Sequence, residues 1–268
     1  MTAGTAELVA LARSVAVEAG GLAARLRREG VEVAGTKSSP IDVVTAADRA
    51  AEDLIRGRLA AARPQDGFLG EESGASGGGS GLTWVVDPID GTVNYLYDLP
   101  NWSVSIAVVE GEPDPASWRA LAAAVAAPAL GEVYTASAGG GAFRADQELR
   151  VREPVALDRA LVATGFHYTQ AVRGNQARVA AALIPQVRDL RRTGGAAIDL
   201  ASVAAGRLDA YFEQGLQPWD QAAGALLVTE AGGVVTGLSA ASPSFRMVLA
   251  GHPDTVAALD EALQRLGA

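Results

Sequence analysis

Leu82-Thr83-Trp84-Val85-Val86-Asp87-Pro88-Ile89-Asp90-Gly91-Thr92 is the stretch from which the rest of the chain is read. Leu82 to Val86 is a short apolar run rich in β-branched residues, the pattern of a buried strand. Asp87 follows, and Pro88 has no N–H to give a sheet ladder, so the ladder is expected to stop there. Asp90-Gly91-Thr92 then turns the chain toward a helix whose first N–H groups have no intrahelical partners. Two carboxylates three residues apart, at a strand end and beside a helix start, make an acidic pocket next to an anion cradle, a combination that suits a divalent metal holding a phosphate. Alone, an Asp-x-x-Asp-Gly also fits an ordinary acidic turn. Two other motifs are excluded: Pro88 and Ile89 break the ligand alternation of an EF-hand loop, and no Gly-x-x-x-x-Gly-Lys-[Ser/Thr] stretch occurs.

Composition narrows the classes. At 268 residues, 49% of them hydrophobic, the chain can build one large domain or two small ones. No apolar run is long enough to span a bilayer, and no basic segment followed by an apolar stretch opens the sequence, so a cytoplasmic location is expected. Cys is absent, which removes disulfides and thiolate chemistry, and His167 and His252 are the only histidines. A net charge of −9 opposes nucleic-acid and anionic-membrane partners. A phosphate-ester substrate would meet the same repulsion, so metal cations must offset it.

Outward from the central stretch, Leu8, Leu11, Val15, Ala19, Leu22 and Leu26 give a long amphipathic helix over 5–29, ended by Gly30. Thr45-Ala46-Ala47-Asp48 reads as a capping box opening a second helix that stops before Pro64. Lys37-Ser38-Ser39-Pro40 reads as a loop with a lone cation. Gly67–Ser73 brings Glu71 and Glu72 ahead of a Gly/Ser connector at 74–81. Residues 102–109 alternate as a half-buried strand. Residues 116–135 are read as a hairpin, against the helix preference of their alanines, and Ala142 to Val151 as a further strand. Beyond that, strands at 161–164, 188–193, 208–213, 234–236 and 247–250 alternate with helices at 171–184, 195–205, 218–230 and 254–266. Helices and strands mixed in this order indicate α+β or α/β layers.

Glu71, Asp87, Asp90, Asp220 and Asp48 each stand at a strand end or helix start, where side chains from distant segments can meet. Asp220 in a first turn, taken singly, reads equally well as a cap, and Glu213 as a strand-ending residue. Together, hard oxygen donors without His or Cys point to Mg²⁺ rather than Zn²⁺. Such an ion lowers the pKa of a water and clamps phosphate oxygens. Asp-x-x-Asp is not the Asp-x-Asp that a phospho-aspartyl phosphatase needs.

Trp84-Val85-Val86-Asp87-Pro88-Ile89-Asp90-Gly91-Thr92-Val93-Asn94-Tyr95 resembles the central motif of the inositol monophosphatase family. Gly70-Glu71-Glu72-Ser73 is similar to its preceding acidic motif, Asp42 to Asp48 to its N-terminal one, and Trp219-Asp220-Gln221-Ala222-Ala223-Gly224 with Glu230-Ala231-Gly232-Gly233 to its C-terminal one. The resemblance implies an α+β fold, a layered αβαβα sandwich, with the active site between halves of about 1–150 and 151–268 in a single phosphatase domain. It implies a first Mg²⁺ on Glu71, Asp87 and the carbonyl of Ile89, and a second on Asp87, Asp90 and Asp220. Glu71 and Thr92 would orient and deprotonate the attacking water, with Asp48 hydrogen-bonded to Thr92. The N–H groups of Gly91 and Thr92 would accept the phosphate. Gly194, Gly195, Ala196 and Glu213, with Asp90 and Asp220, fall where the family contacts substrate, and Lys37 on its mobile metal loop. Inositol 1-phosphate is the implied substrate, with histidinol phosphate and fructose bisphosphate as alternatives, Li⁺ inhibition and a homodimer as further expectations. A noncatalytic sugar-phosphate-binding or protein-interaction relative is the alternative of a different class. Val93 stands where the family more often has Thr, and the rim segment Gly165–Gln170 is variable, which leaves the substrate more open than the chemistry.

Overall fold

A computed structural model describes residues 3–31, 33–36 and 43–268; Lys37–Pro40 and Asp42 lie outside them. Helix α1 (Ala3–Glu29) is followed by the antiparallel pair β1 (Val33–Thr36) and β2 (Val43–Thr45), and by α2 (Ala46–Ala62). Strands β3 (Gly67–Gly70), β4 (Gly74–Ser76) and β5 (Leu82–Asp90) lead to the short helix α3 (Thr92–Leu96). Then come β6 (Ser103–Glu110), β7 (Arg119–Ala127), β8 (Glu132–Ser137), β9 (Gly141–Arg144) and β10 (Gln147–Glu148). The second half runs β11 (Leu161–Thr164), α4 (Gln170–Leu183), β12 (Asp189–Arg191), α5 (Ala196–Ala204), β13 (Ala210–Glu213) and α6 (Pro218–Glu230). It closes with β14 (Val234–Thr236), β15 (Val248–Gly251) and α7 (Pro253–Arg265).

Period-two alternation decides the layering. In the eight-stranded sheet β10-β9-β8-β7-β6-β5-β3-β4, Trp84, Val86, Ile106, Val108 and Ala124 face Leu8 and Val15 of α1 and Ile55 and Leu59 of α2. Their neighbours Val85, Ala107, Val109, Ala123 and Val125 face the other way, onto Leu200 and Val203 of α5 and Leu226 and Leu227 of α6. The same core takes in Ala163, Tyr211, Val248 and Ala250 from the five-stranded sheet β12-β11-β13-β15-β14. The opposite face of that sheet, through Val162, Ala210, Phe212 and Leu249, closes on Val179 of α4 and Leu259 and Leu263 of α7. Helix, sheet, helix, sheet, helix is the αβαβα sandwich expected from the sequence.

The hairpin reading of 116–135 is borne out by the antiparallel β7–β8 pair. There the tertiary pairing overrides the helix preference of a run of alanines. The Thr45 capping box is present, with Thr45 Oγ1 accepting from Ala47 and Asp48 and Asp48 accepting from the Thr45 N–H. Four expectations are corrected. Gly74–Ser76, read as part of a connector, is strand β4 paired with β3, and the strand read as half-buried over 102–109 is β6, buried on both faces up to Glu110. The strand over 142–151 is instead a tight β9–β10 hairpin, broken where Ala145 takes φ +51°. The ladder does not stop at Asp87 either: β5 pairs Asp87 with Ser105 and resumes at Asp90 with Ser103. Two residues of β5 thus stand against one of β6, a bulge that accommodates the missing Pro88 N–H.

The halves are tied through β8 of the large sheet. Glu132 of β8 accepts from Arg207, which precedes β13, from Arg144 at 3.1 Å and from the Tyr134 hydroxyl. The Arg207 guanidinium is the main reason the Glu132 carboxyl lies low, at about 2. A carboxyl depressed on folding contributes stability above its unfolded value of about 4.3, lost as pH falls through the folded one. Glu132→Gln should therefore cost about 1 kcal/mol at neutral pH. In urea unfolding the difference from wild type should hold steady down to about pH 5 and disappear toward pH 2; a difference independent of pH would rule out the charged latch.

Candidate active site

The bulge in β5 is what assembles the site. Three residues apart on a regular strand, Asp87 and Asp90 would point to opposite faces. The extra residue between them restores a common face, and both line one cavity, with exposures of 2% and 7%. Asp87 Oδ1 accepts the N–H of Ile89 at 3.0 Å, holding the bulge from within. Gly91 follows with φ +85°, and a Cβ there would meet Asn101 O at 2.8 Å and Gly194 O at 3.1 Å.

The remaining carboxylates arrive from separate elements. Asp90 Oδ1 accepts from Ala196 N at 3.1 Å and Oδ2 from Ala197 N at 2.8 Å, so a residue of the large sheet caps α5. Asp220 Oδ2 accepts Gln217 N at 2.7 Å while Asp220 lines the cavity: it is a cap and a pocket residue together. Glu71 follows β3, its N–H donating to Val86 O at 3.2 Å. Thr92 Oγ1 lies 3.2 Å from Asp48 Oδ1 and 3.1 Å from Ile89 O. All the expected ligand and water-orienting side chains, Glu71, Asp87, Asp90, Thr92 and Asp220, therefore meet, with Asp48 behind Thr92. Gly91, Gly194, Gly195, Ala196 and Glu213 line the same cavity. Ala196, expected among the substrate contacts, lines the cavity, and its N–H is taken by Asp90.

Charge crowding dominates the electrostatics. Burial, then Glu71, Asp90 and Asp220, drives the Asp87 carboxyl well above the usual range, and Glu71 shares a hydrogen bond with it. Burial, with Glu71 and Asp90, does the same to Asp220. Asp90 is raised to about 7 by burial, in spite of the N–H groups of Ala197 and Ala196. Among the described residues no three such groups are already gathered as an ion cage. The donors themselves, four carboxylates from three segments with the Ile89 carbonyl beside them, fit a hard cation. His167 is the one imidazole at the cavity, and its Nδ1 accepts from Thr169 N at 2.9 Å.

The cavity, about 330 Å³, is of small-molecule size. Its far wall belongs to the second half. Glu213 accepts from the buried Tyr211 hydroxyl and lies against Gly165, where any Cβ would collide with its carboxylate. Burial lifts Glu213 to about 7, against the Tyr211 hydrogen bond and the charge of Arg192. Arg192 is the only Arg or Lys among the described residues lining the cavity. Asp199, buried in the first turn of α5, accepts from Thr193 Oγ1 at 2.7 Å and is raised to about 8, chiefly by burial. Phe166, His167, Tyr168 and Phe245 form the rim.

Sequence reasoning missed Asp199, Tyr211, Asn94 and Glu52. Asn94 Nδ2 donates to Asn101 O at 2.6 Å and Thr193 O at 2.7 Å, joining the start of α3 to the loop before α5. Tyr211, two residues before Glu213 and on the same strand face, carried a signal that was available. Nothing local marked Asn94, whose partners lie up to 99 positions away.

With this geometry in view, the family model for the inositol monophosphatase family matches residues 5–266. An inositol-1-monophosphatase from Mycobacterium tuberculosis, SuhB, is 42% identical, over 97% of this chain and 94% of its own length. A Nus factor SuhB from Xylella fastidiosa is 44% identical over 74% of this chain and 70% of its own. The crystal structure of the extragenic suppressor protein suhB from Bartonella henselae superposes with a TM-score of 0.88 at 36% identity, covering 97% of this chain and 99% of that one.

Gly91 meets two independent demands, a left-handed φ and contact with two backbone oxygens. Gly91→Ala should lower unfolding stability by about 1–3 kcal/mol. Gly21→Ala, with nothing near its Cβ in the middle of α1, should be neutral or raise stability by up to about 1 kcal/mol. Thermal unfolding of the two variants distinguishes them, and equal melting temperatures would refute the packing argument.

Proposed function

This chain belongs to the inositol monophosphatase family, and from that premise we propose that it is a Mg²⁺-dependent phosphomonoesterase acting on inositol 1-phosphate or a related small polyol phosphate. The observation that carries the reading is the convergence of Glu71, Asp87, Asp90 and Asp220 with Thr92 in one small cavity. Glu71, Asp87 and the Ile89 carbonyl would hold one ion, and Asp87, Asp90 and Asp220 a second. Bound there, Mg²⁺ supplies neutralising charge for phosphate oxygens and acidifies a water.

The chain's own groups do the positioning. The Thr92 hydroxyl has one hydrogen, shared between Asp48 and Ile89 O, so its lone pairs remain to accept from an attacking water. Asp48, buried and already accepting from Thr45 N at 2.8 Å, fixes that orientation and provides the charge toward which a proton can pass. Glu71 accepts from the same water on its other side. Gly91 and Thr92, at the start of α3, would receive the phosphate through their N–H groups. Glu213, set between Tyr211 and Gly165, would accept from the hydroxyls of the polyol.

A protein-interaction role is the second reading, favoured by the Xylella relative named as a Nus factor. The complete carboxylate set favours catalysis, because buried like charges oppose folding unless a ligand uses them.

Phosphate release from inositol 1-phosphate should require Mg²⁺, vanish with chelator and leave no phosphate on the protein after an acid quench. Asp220→Asn should abolish turnover while the protein keeps its fold and loses the Mg²⁺-dependent rise in melting temperature that the wild type shows. Near-normal turnover, or trapping of a phosphorylated Asp87 or Asp90, would overturn the mechanism.

Substrate choice has its own test. A buried acceptor left unpaired costs about 1–3 kcal/mol. Glu213→Gln should then lower kcat/KM for inositol 1-phosphate about tenfold to a hundredfold more than for glycerol phosphate. Equal losses on both would assign Glu213 to the structure of β13 instead.

A further inference from the structure

Helix α2 carries two buried carboxylates four residues apart, Asp48 at 0% and Glu52 at 2% exposure. That spacing places them on one face, a single turn from each other. Asp48 holds Thr92. Glu52 reaches the turn after β3, where its Oε2 accepts the N–H of Glu72 at 2.8 Å and its Oε1 that of Ser73 at 2.8 Å. These are the two amides that follow Glu71.

The peptide ahead of Glu71 is fixed by a different bond, Glu71 N to Val86 O at 3.2 Å. The backbone of Glu71 is therefore clamped on both sides, by a strand before it and by a double acceptor after it. Gly70 makes room for the clamp, since a Cβ there would lie 2.5 Å from Glu52 Oε2 and 2.6 Å from the Phe68 ring. Neither Glu52 nor Gly70 has a part in the chemistry assigned above.

We propose that Glu52 is a positioning residue for Glu71, and that α2 sets both water-orienting groups at once: Thr92 through Asp48 and Glu71 through Glu52. The catalytic consequence rests on the phosphatase reading; the positioning itself does not. One rigid turn of helix then fixes the spacing between groups carried by two different segments. Loss of the Glu52 clamp would loosen Glu71 without removing any ligand.

The test compares Glu52→Ala and the isosteric Glu52→Gln with Glu230→Ala. Glu230 is a double acceptor of the same kind, bonded to Gly139 N at 2.8 Å and Gly141 N at 2.9 Å, but outside the cavity. Hydrogen exchange over residues 71–76, Mg²⁺ affinity by calorimetry, and kcat and KM on inositol 1-phosphate are measured on the full chain. Glu52→Ala should speed exchange at Glu72 and Ser73 and lower Mg²⁺ affinity and kcat about tenfold to a hundredfold, with KM for the ester moving less. Glu52→Gln, which keeps one acceptor oxygen, should fall between it and the wild type. Glu230→Ala should speed exchange at 139–141 and leave Mg²⁺ affinity unchanged. Wild-type exchange at 71–76 in either Glu52 variant, or an equal loss of Mg²⁺ affinity in Glu230→Ala, would overturn the proposal. Should Glu52→Ala fail to fold, Glu52→Gln decides by the same criteria. A wild type that hydrolyses no phosphate ester would sink the phosphatase reading, while the exchange measurement would still decide the role of Glu52.

Discussion

The bond that the arrangement depends on is made by Asp90, which accepts the first two N–H groups of α5 from the adjacent sheet. A helix start normally finds its acceptor in its own N-cap side chain. Here the N-cap is Gly195, without a side chain, and the acceptor belongs to the last residue of β5. The large sheet and the middle helix layer are thereby locked in register at the mouth of the cavity. Gly91 and Gly194 follow from this bond: Asp90 reaches α5 only if the backbones of 91, 101 and 194 come within contact distance. Asn94 reinforces the same seam by bonding two carbonyls, one from each side.

That seam gathers charges that repel. Asp87, Asp90, Asp220, Glu213 and Asp199 are each pushed upward, first by burial. Such a concentration is a cost to folding that the cores on either side of the sheets must offset. The backbone shares the load, since Asp90 accepts from Ala197 N and Asp220 from Gln217 N. Preorganisation of this kind places strain and function at the same atoms.

What the sequence disclosed follows from the range of the interactions. Local chemistry was legible: the Thr45 box, the strand run into Asp87, the helix opened by Pro218 and the four motifs that named the family all depend on residues within a few positions. The β5 bulge was not, because the Pro88 signal says that a ladder bond is missing and not whether β6 resumes pairing two residues later. The alanine-rich β7 shows the same limit in reverse, since only its neighbours β6 and β8 make it a strand. Strand-end and helix-start positions singled out the carboxylates that could meet, and resemblance assigned their roles. That Asp90 takes the Ala196 N–H had no precursor in spacing, because it links positions 106 apart.

The cavity has two walls. The carboxylates of the proposed chemistry stand on β5, the turn after β3 and α6, braced by α2 and by one another. The opposite wall is built from β13, the Gly165–Gln170 segment and the loop before α5. Its side chains contact one another and the neighbouring Phe245: Glu213 on Tyr211 and Gly165, Thr193 on Asp199, His167 edge-on to Phe245 at 5.9 Å. A substitution on this wall can therefore reshape the second-half side of the cavity while the β5 bulge and the Asp90 cap remain as they are. Asp90 is the exception, since it belongs to both sets. Any change that moves α5 to suit a new substrate also pulls on a proposed metal ligand, and this coupling limits how far the far wall can drift before the chemistry is affected.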